Sequence, residues 1–129
     1  MDPKKAYYEV VSKTIIKNLE KRRMEGYYCE TSADALKLAL SFVKPGMKVS
    51  NGGSMTLNEC GLMDALRKKS DITFLDRATG KTPEEVQDIL HQALLSDCYF
   101  MSTNAITLDG ELVNIDGSGN RVAALIYGP

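Results

Sequence analysis

Met47-Lys48-Val49-Ser50-Asn51-Gly52-Gly53-Ser54-Met55-Thr56-Leu57-Asn58-Glu59 is the stretch on which the fold turns. Met47 to Asn51 is short, holds valine and serine, and reads as a strand. It runs straight into Gly52-Gly53-Ser54, where two glycines allow a sharp turn and a close backbone approach. Thr56 and Glu59 have the Thr-x-x-Glu spacing of a capping box, which predicts a helix starting near Leu57. A strand, a tight turn and a capped helix in direct succession make a β-turn-α unit.

The same alternation continues on both sides. Upstream, Tyr8, Val11, Ile15 and Leu19 recur at spacings of three and four, predicting a helix over 3–25 with Gly26 as its stop. Tyr27-Tyr28-Cys29 is a short β-prone run. Thr31 or Ser32 then caps a helix over 33–43, which Pro45-Gly46 ends. Downstream, Ile72 to Leu75 reads as a strand. Thr82-Pro83-Glu84-Glu85 is a helix start, with a cap, a first-turn proline and acids at the positive helix end. That helix runs to about Leu95, and Cys98 to Met101 follows as a buried strand. Asp109-Gly110 is a turn before a short strand, Glu111 to Asn114. A glycine-rich loop, Asp116 to Asn120, leads into a last apolar piece, Val122 to Tyr127. Strands alternating with helices predict an α/β fold, a mostly parallel sheet flanked by helices.

Composition narrows the function. The 129 residues are enough to bury a core, and they show no linker or repeat, so they read as a single domain. A formal net charge of −1 gives no general pull toward nucleic acid or an anionic membrane, so neither is expected as a partner. No apolar run nears the roughly 18 residues of a membrane span. The N-terminus has no apolar signal core. Cys29, Cys60 and Cys98 are odd in number and widely spaced, matching no disulfide framework and no Cys-x-x-Cys metal or cluster pattern. A cytoplasmic chain with no metal and no cofactor is the expectation.

Two segments could carry chemistry. At Gly52-Gly53-Ser54-Met55-Thr56, glycines lead into a helix N-terminus, whose free N–H groups favour a phosphate or carboxylate. The same residues also serve as a plain tight turn, and the spacing matches neither a Walker loop nor Gly-x-Gly-x-x-Gly. The second segment runs from Ser102 to Arg121 and is dense in Asn, Asp and Gly. In it Asn104, Asp109, Asn114, Gly117, Gly119 and Asn120 are candidate ligand-binding residues, and Arg121 could grip a carboxylate or phosphate bidentately. Asp116 and Glu59 are the candidate reactive carboxylates, although Asp109 and Asp116 also suit turns beside glycine. His91, the only histidine, falls off the apolar stripe of its helix and reads as a surface residue, so no Ser-His-Asp or Cys-His set can be assembled. Cys60 reads as a packed core thiol. Because ligands of α/β sheets sit beyond the carboxyl ends of the strands, both glycine-rich segments could face one cavity.

These two segments carry a resemblance. Gly53-Ser54-Met55-Thr56-Leu57-Asn58-Glu59-Cys60-Gly61-Leu62 resembles the Gly-Ser-Met-Thr-Leu-x-Glu-x-Gly-Leu segment of the LUD family, the lactate-utilisation LutC/YkgG type. Thr103-Asn104-Ala105-Ile106-Thr107, Asp109-Gly110, Leu112-Val113-Asn114 and Asp116-Gly117-x-Gly119-Asn120-Arg121-Val122-Ala123 resemble that family's most distinctive stretch. The resemblance runs from the first helix to Pro129. It implies a fold similar to glucosamine-6-phosphate deaminase, ribose-5-phosphate isomerase and the CoA transferases, a three-layer sandwich. It also implies a place among bacterial proteins that oxidise L-lactate to pyruvate beside iron–sulfur partners. Family chains continue past Gly128-Pro129, so residues 1–129 read as a short member or a fragment whose open sheet favours homo-oligomers.

Three functions follow as expectations. One is a lactate-utilisation component that binds a small anionic metabolite, or a nucleotide- or CoA-like ligand, at the glycine-rich loops. Another is an enzyme on a sugar phosphate or acyl-CoA, with Glu59 or Asp116 reactive. Asn104 weakens the isomerase form of this idea, because it stands where related isomerases carry a catalytic aspartate and an amide cannot shuttle a proton as a carboxylate does. The last is a non-catalytic module that docks on an iron–sulfur oxidoreductase.

Overall fold

A computed structural model describes residues 2–129. Its elements run in the order α1 (Pro3–Lys21), α2 (Ser32–Ser41), β1 (Lys48–Asn51), α3 (Met55–Glu59), α4 (Leu62–Lys68), β2 (Thr73–Leu75), a 3₁₀ turn (Arg77–Thr79), α5 (Pro83–Ala93), β3 (Cys98–Phe100), β4 (Ala105–Ile106), β5 (Leu112–Val113) and α6 (Asn120–Tyr127). The chain divides into two compact units, Met1–Ala35 with Thr103–Asn114, and Leu36–Ser102 with Ile115–Pro129.

The larger unit holds the α/β fold. Its sheet has the order β2-β1-β3 and both pairings are parallel. The central strand β1 is buried from Val49 to Asn51, with Val49 fully enclosed. A strand with neighbours on both sides buries both faces, so even its polar Ser50 must find a partner. Ser50 Oγ donates to the Leu75 carbonyl at 2.8 Å. The core gathers Val43, Val49, Leu57, Leu62, Met63 and Leu66 from α3, α4, β1 and the segment before it, with Leu36, Leu40, Phe74 and Phe100 packed against them.

The helix starts follow side-chain chemistry. Thr82 caps α5 by accepting from the Glu85 N–H at 3.2 Å, and Glu85 Oε2 accepts from the Lys81 N–H at 2.6 Å. Thr31, rather than Ser32, receives the Asp34 N–H at 3.1 Å at the start of α2. The cap after β1 differs from the sequence expectation. Ser54, not Thr56, is the N-cap of α3, and its hydroxyl accepts from the Leu57 N–H at 3.3 Å. Ser54 is the first side chain after the glycines able to take that bond, so the helix begins two residues early. Thr56 falls inside the first turn and Glu59 ends the helix. Gly61, at φ +84, then separates α3 from α4.

The smaller unit joins α1 to an antiparallel β4–β5 hairpin. Asn18 Nδ2 donates to the Leu108 carbonyl at 2.8 Å and Arg22 Nε to the Asp109 carbonyl at 3.2 Å. The hairpin turn ends in Gly110, buried and at φ +78, where a Cβ would meet Leu19 N at 2.9 Å. Both the left-handed backbone and the close approach require glycine there. Helix α1 stops at Lys21, four residues before the expected end. Arg23 turns it at φ +61, and Gly26 instead lies against Ile16. Tyr27-Tyr28-Cys29 is irregular rather than a strand. Among the described residues, no helix is long and apolar enough to cross a membrane.

Candidate functional site

In a parallel sheet of order 2-1-3 the chain leaves β1 for β2 on one side and then crosses to β3 on the other, and ligands favour the crevice at that switch point. Here the residues just past β1 and β3 close on each other. The Gly52 N–H donates to the Phe100 carbonyl at 2.9 Å, and the Ser54 and Ser102 hydroxyls share a hydrogen bond of 2.5 Å. The turn Gly52-Gly53-Ser54 therefore sits at the carboxyl edge of the sheet.

An arginine flanks each glycine. A Cβ at Gly52 would lie 2.4 Å from Arg121 Cγ and 2.7 Å from Cδ, so the Arg121 stem lies directly on this glycine. A Cβ at Gly53 would lie 2.6 Å from Arg77 Nη2, so the Arg77 guanidinium covers the next one. Bare backbone at both positions is what admits the two arginines.

The arginines differ in what they hold. Arg121 Nε pairs with Asp116 Oδ1 at 2.9 Å, with both side chains largely buried, and Nη2 donates to the Ile115 carbonyl at 2.9 Å. Asp116 Oδ2 also accepts the Arg121 and Val122 N–H groups at 2.7 and 3.1 Å. Asp116 thus supplies the anion at the N-terminus of α6. The bond from Arg121, with the two backbone N–H groups, outweighs burial and holds its carboxyl below the usual carboxylate range. Held ionised with both oxygens engaged, it is poorly placed to carry a proton. Arg77, by contrast, enters no ion pair among the described residues.

Arg77 opens onto a cavity of about 150 Å³ lined by Asn51, Gly53, Ser54, Asn58, Met63, Arg67, Asp76, Arg77 and Ala78. Within it Arg67 Nε pairs with the buried Asp76 at 2.7 Å. Burial would push the Asp76 carboxyl up, but Arg67, the Ala78 N–H and nearby Arg77 together hold it below its ordinary value. Arg67 thus pairs with Asp76 and, at 3.8 Å, with Asp64, while Arg77 acts on Asp76 without forming an ion pair among the described residues. On the other flank Tyr99 faces Gly52, with its hydroxyl 3.0 Å from where a Cβ would stand. Burial pushes this phenol up and the Asp116 charge adds to it, against Asn120, Arg121 and Arg77, so Tyr99 stays protonated.

The structure brings Gly52, Gly53, Ser54, Asp116, Asn120 and Arg121 into the larger unit. Asn104, Asp109 and Asn114 belong to the smaller one. There the Asn104 N–H donates to the Val113 carbonyl of the hairpin, the Asp109 carbonyl accepts from Arg22 at the end of α1, and Asn114 has a buried Oδ1 without a partner among the described residues. Met55, Thr56 and Glu59 are exposed. Gly117 and Gly119 stand in open space, Gly119 at φ +80 as the N-cap of α6. The two glycine-rich segments do not line one cavity. They meet through Arg121, while Ser118, Gly119 and Asn120 border a separate groove between α5 and α6.

Sequence reasoning passed over Arg77, Arg67, Asp76 and Tyr99. One signal was present for the second of the strands: Asp76-Arg77 directly follows β2 and so shares the sheet edge with Gly52. Cys60 packs against the core as expected, and His91 is exposed beside Gln87. Among the described residues no group of three or more His, Cys, Asp or Glu could hold a metal.

No curated protein and no solved structure matches the chain. The model of the LUD domain does match, over residues 12–129, and on that match the chain belongs to the LUD domain family.

Proposed function

We propose that this protein is a lactate-utilisation component of the LutC/YkgG type whose role is to bind a small organic anion at the Gly52-Gly53-Ser54 turn. The observation that carries the reading is Arg77, a guanidinium without an ion pair among the described residues, laid over Gly53 at the carboxyl edge of a parallel sheet. A planar fork of donors suits a carboxylate. A cavity of about 150 Å³ has room for a short acid. Asn51, Ser54 and Asn58 offer hydrogen bonds to a second oxygen on such an acid.

Binding, not turnover, is the reading for the two carboxylates nominated from sequence. Glu59 is exposed at the end of a short helix, and Asp116 is committed to α6 and Arg121. Calorimetry with L-lactate, pyruvate and inorganic phosphate tests the proposal. Saturable binding of a monocarboxylate that is lost in Arg77→Ala and partly kept in Arg77→Lys supports it. Absence of binding by all three, or equal binding by Arg77→Ala, overturns it.

A second reading rests on the end of α6. Leu125, Ile126 and Tyr127 are exposed in a row, the last two at 77% and 93%, as is Ile115 at 75%. A large exposed apolar patch marks a contact surface, and in a lactate-oxidation setting an iron–sulfur oxidoreductase or a second copy of this chain would cover it. Sedimentation of the protein alone and with such a partner separates the two, and a monomer indifferent to both removes this reading.

A further inference from the structure

The Asp116 to Asn120 loop leaves the anion cavity unserved but borders another. Between α5 and α6 lies a groove of about 260 Å³ with an apolar lining from Leu90, Leu94 and Ala123. Its polar lining comes from Gln87, His91, Ser118 and Asn120. No Lys, Arg, Asp or Glu lines it, so its chemistry differs from that of the Arg77 cavity. The outer end of the groove adjoins Glu84 and Asp88, which with Gln87 and His91 border the neighbouring surface and would repel an anion.

From this lining we infer that the α5–α6 groove binds a neutral planar heteroaromatic ring of the nucleobase type. The chemistry follows from the residue types. Apolar side chains take the faces of a ring, while amides present a donor and an acceptor side by side. The exposed Gln87 amide, the His91 imidazole and the Ser118 hydroxyl can therefore read donors and acceptors on the edge of a base, as Gln pairs with the N6/N7 edge of adenine. A small number of polar groups on a mostly apolar lining is the usual make-up of such pockets. The groove of about 260 Å³ has room for a bicyclic ring. The loop contributes because Gly119 turns at φ +80, placing Ser118 and Asn120 on the groove while Arg121, one residue on, lies across Gly52.

Adenosine is the probe, because it carries the ring without a charge and its binding is independent of the anion cavity. Titration of ¹⁵N-labelled protein with adenosine should shift the amide signals of Gln87, His91, Ser118 and Gly119 in a saturable way. Gln87→Ala should weaken binding by about fivefold or more. Ser118→Trp, a change in an exposed loop that fills the groove, should abolish it, with circular dichroism showing both variants folded. Saturable shifts confined elsewhere, no shifts up to the solubility limit of adenosine, or binding unchanged in both variants would each overturn the inference. A protein that binds lactate but not adenosine would keep the proposed function and lose this groove, and the reverse result would do the opposite.

Discussion

Gly52→Ala tests the packing of the candidate site most sharply. Gly52 is not in the left-handed region, so alanine meets no backbone penalty. In solution such a change should stabilise by about 0.4–1 kcal/mol through the unfolded chain. In this fold the new methyl would stand 2.4 Å from Arg121 Cγ and 2.7 Å from Cδ. Arg121 cannot simply swing aside, because Asp116 at 2.9 Å and the Ile115 carbonyl at 2.9 Å hold its head. Overpacking costs about 1–3 kcal/mol, so the net expectation is a loss of about 1–2 kcal/mol. Removing Arg121 lifts most of that cost: in an Arg121→Ala background only the Tyr99 hydroxyl, at 3.0 Å, stands close, so the same Gly52→Ala change should be near neutral. Urea unfolding of the four proteins closes the cycle, and the coupling should amount to about 1–2 kcal/mol. Equal effects of Gly52→Ala in both backgrounds would refute the claim that Arg121 lies on Gly52.

Three further outcomes follow from other parts of the molecule. Gly110→Ala must place a side chain at positive φ against the Leu19 backbone, so it should destabilise by at least about 1–2 kcal/mol and speed hydrogen exchange in α1 and the hairpin. Asp76 and Asp116 both titrate below their ordinary range, so they stabilise the fold above about pH 4, and that contribution fades as pH falls through their lowered values. Asp116→Asn should flatten the acid limb of a stability–pH curve, and an unchanged limb would remove Asp116 from the account. Leu66→Ala, in a fully buried position of α4, should cost about 2–5 kcal/mol, measured by denaturant unfolding.

Much of this fold was legible because its signals are local. Valine and serine before two glycines marked β1, and Thr82-Pro83-Glu84-Glu85 marked α5 with its cap in place. The cap of α3 was harder, since Ser54 and Thr56 both suit the role. The choice depends on where the chain leaves β1, which only the sheet decides. Asp116 was nominated for reactivity because it stands beside glycine in a polar loop, yet its partner N–H groups lie five and six residues on, at Arg121 and Val122. That spacing belongs to a loop folding back on a helix start and has no short motif. Arg77 lies 24 residues after Gly53, and parallel pairing of β1 with β2 is what joins them. Parallel strands pair across long connections, so local pattern carries little of that register.

The account stands on Arg77 as the counter-charge of a bound acid. A ¹H–¹⁵N titration with L-lactate tests it directly, using the wild-type protein and Arg77→Ala. Saturable shifts at Gly53, Ser54 and Arg77 in the wild type, absent from the variant while its stability stays within about 0.5 kcal/mol, are the predicted result. Shifts that persist unchanged in Arg77→Ala, or that map away from this turn, would contradict it.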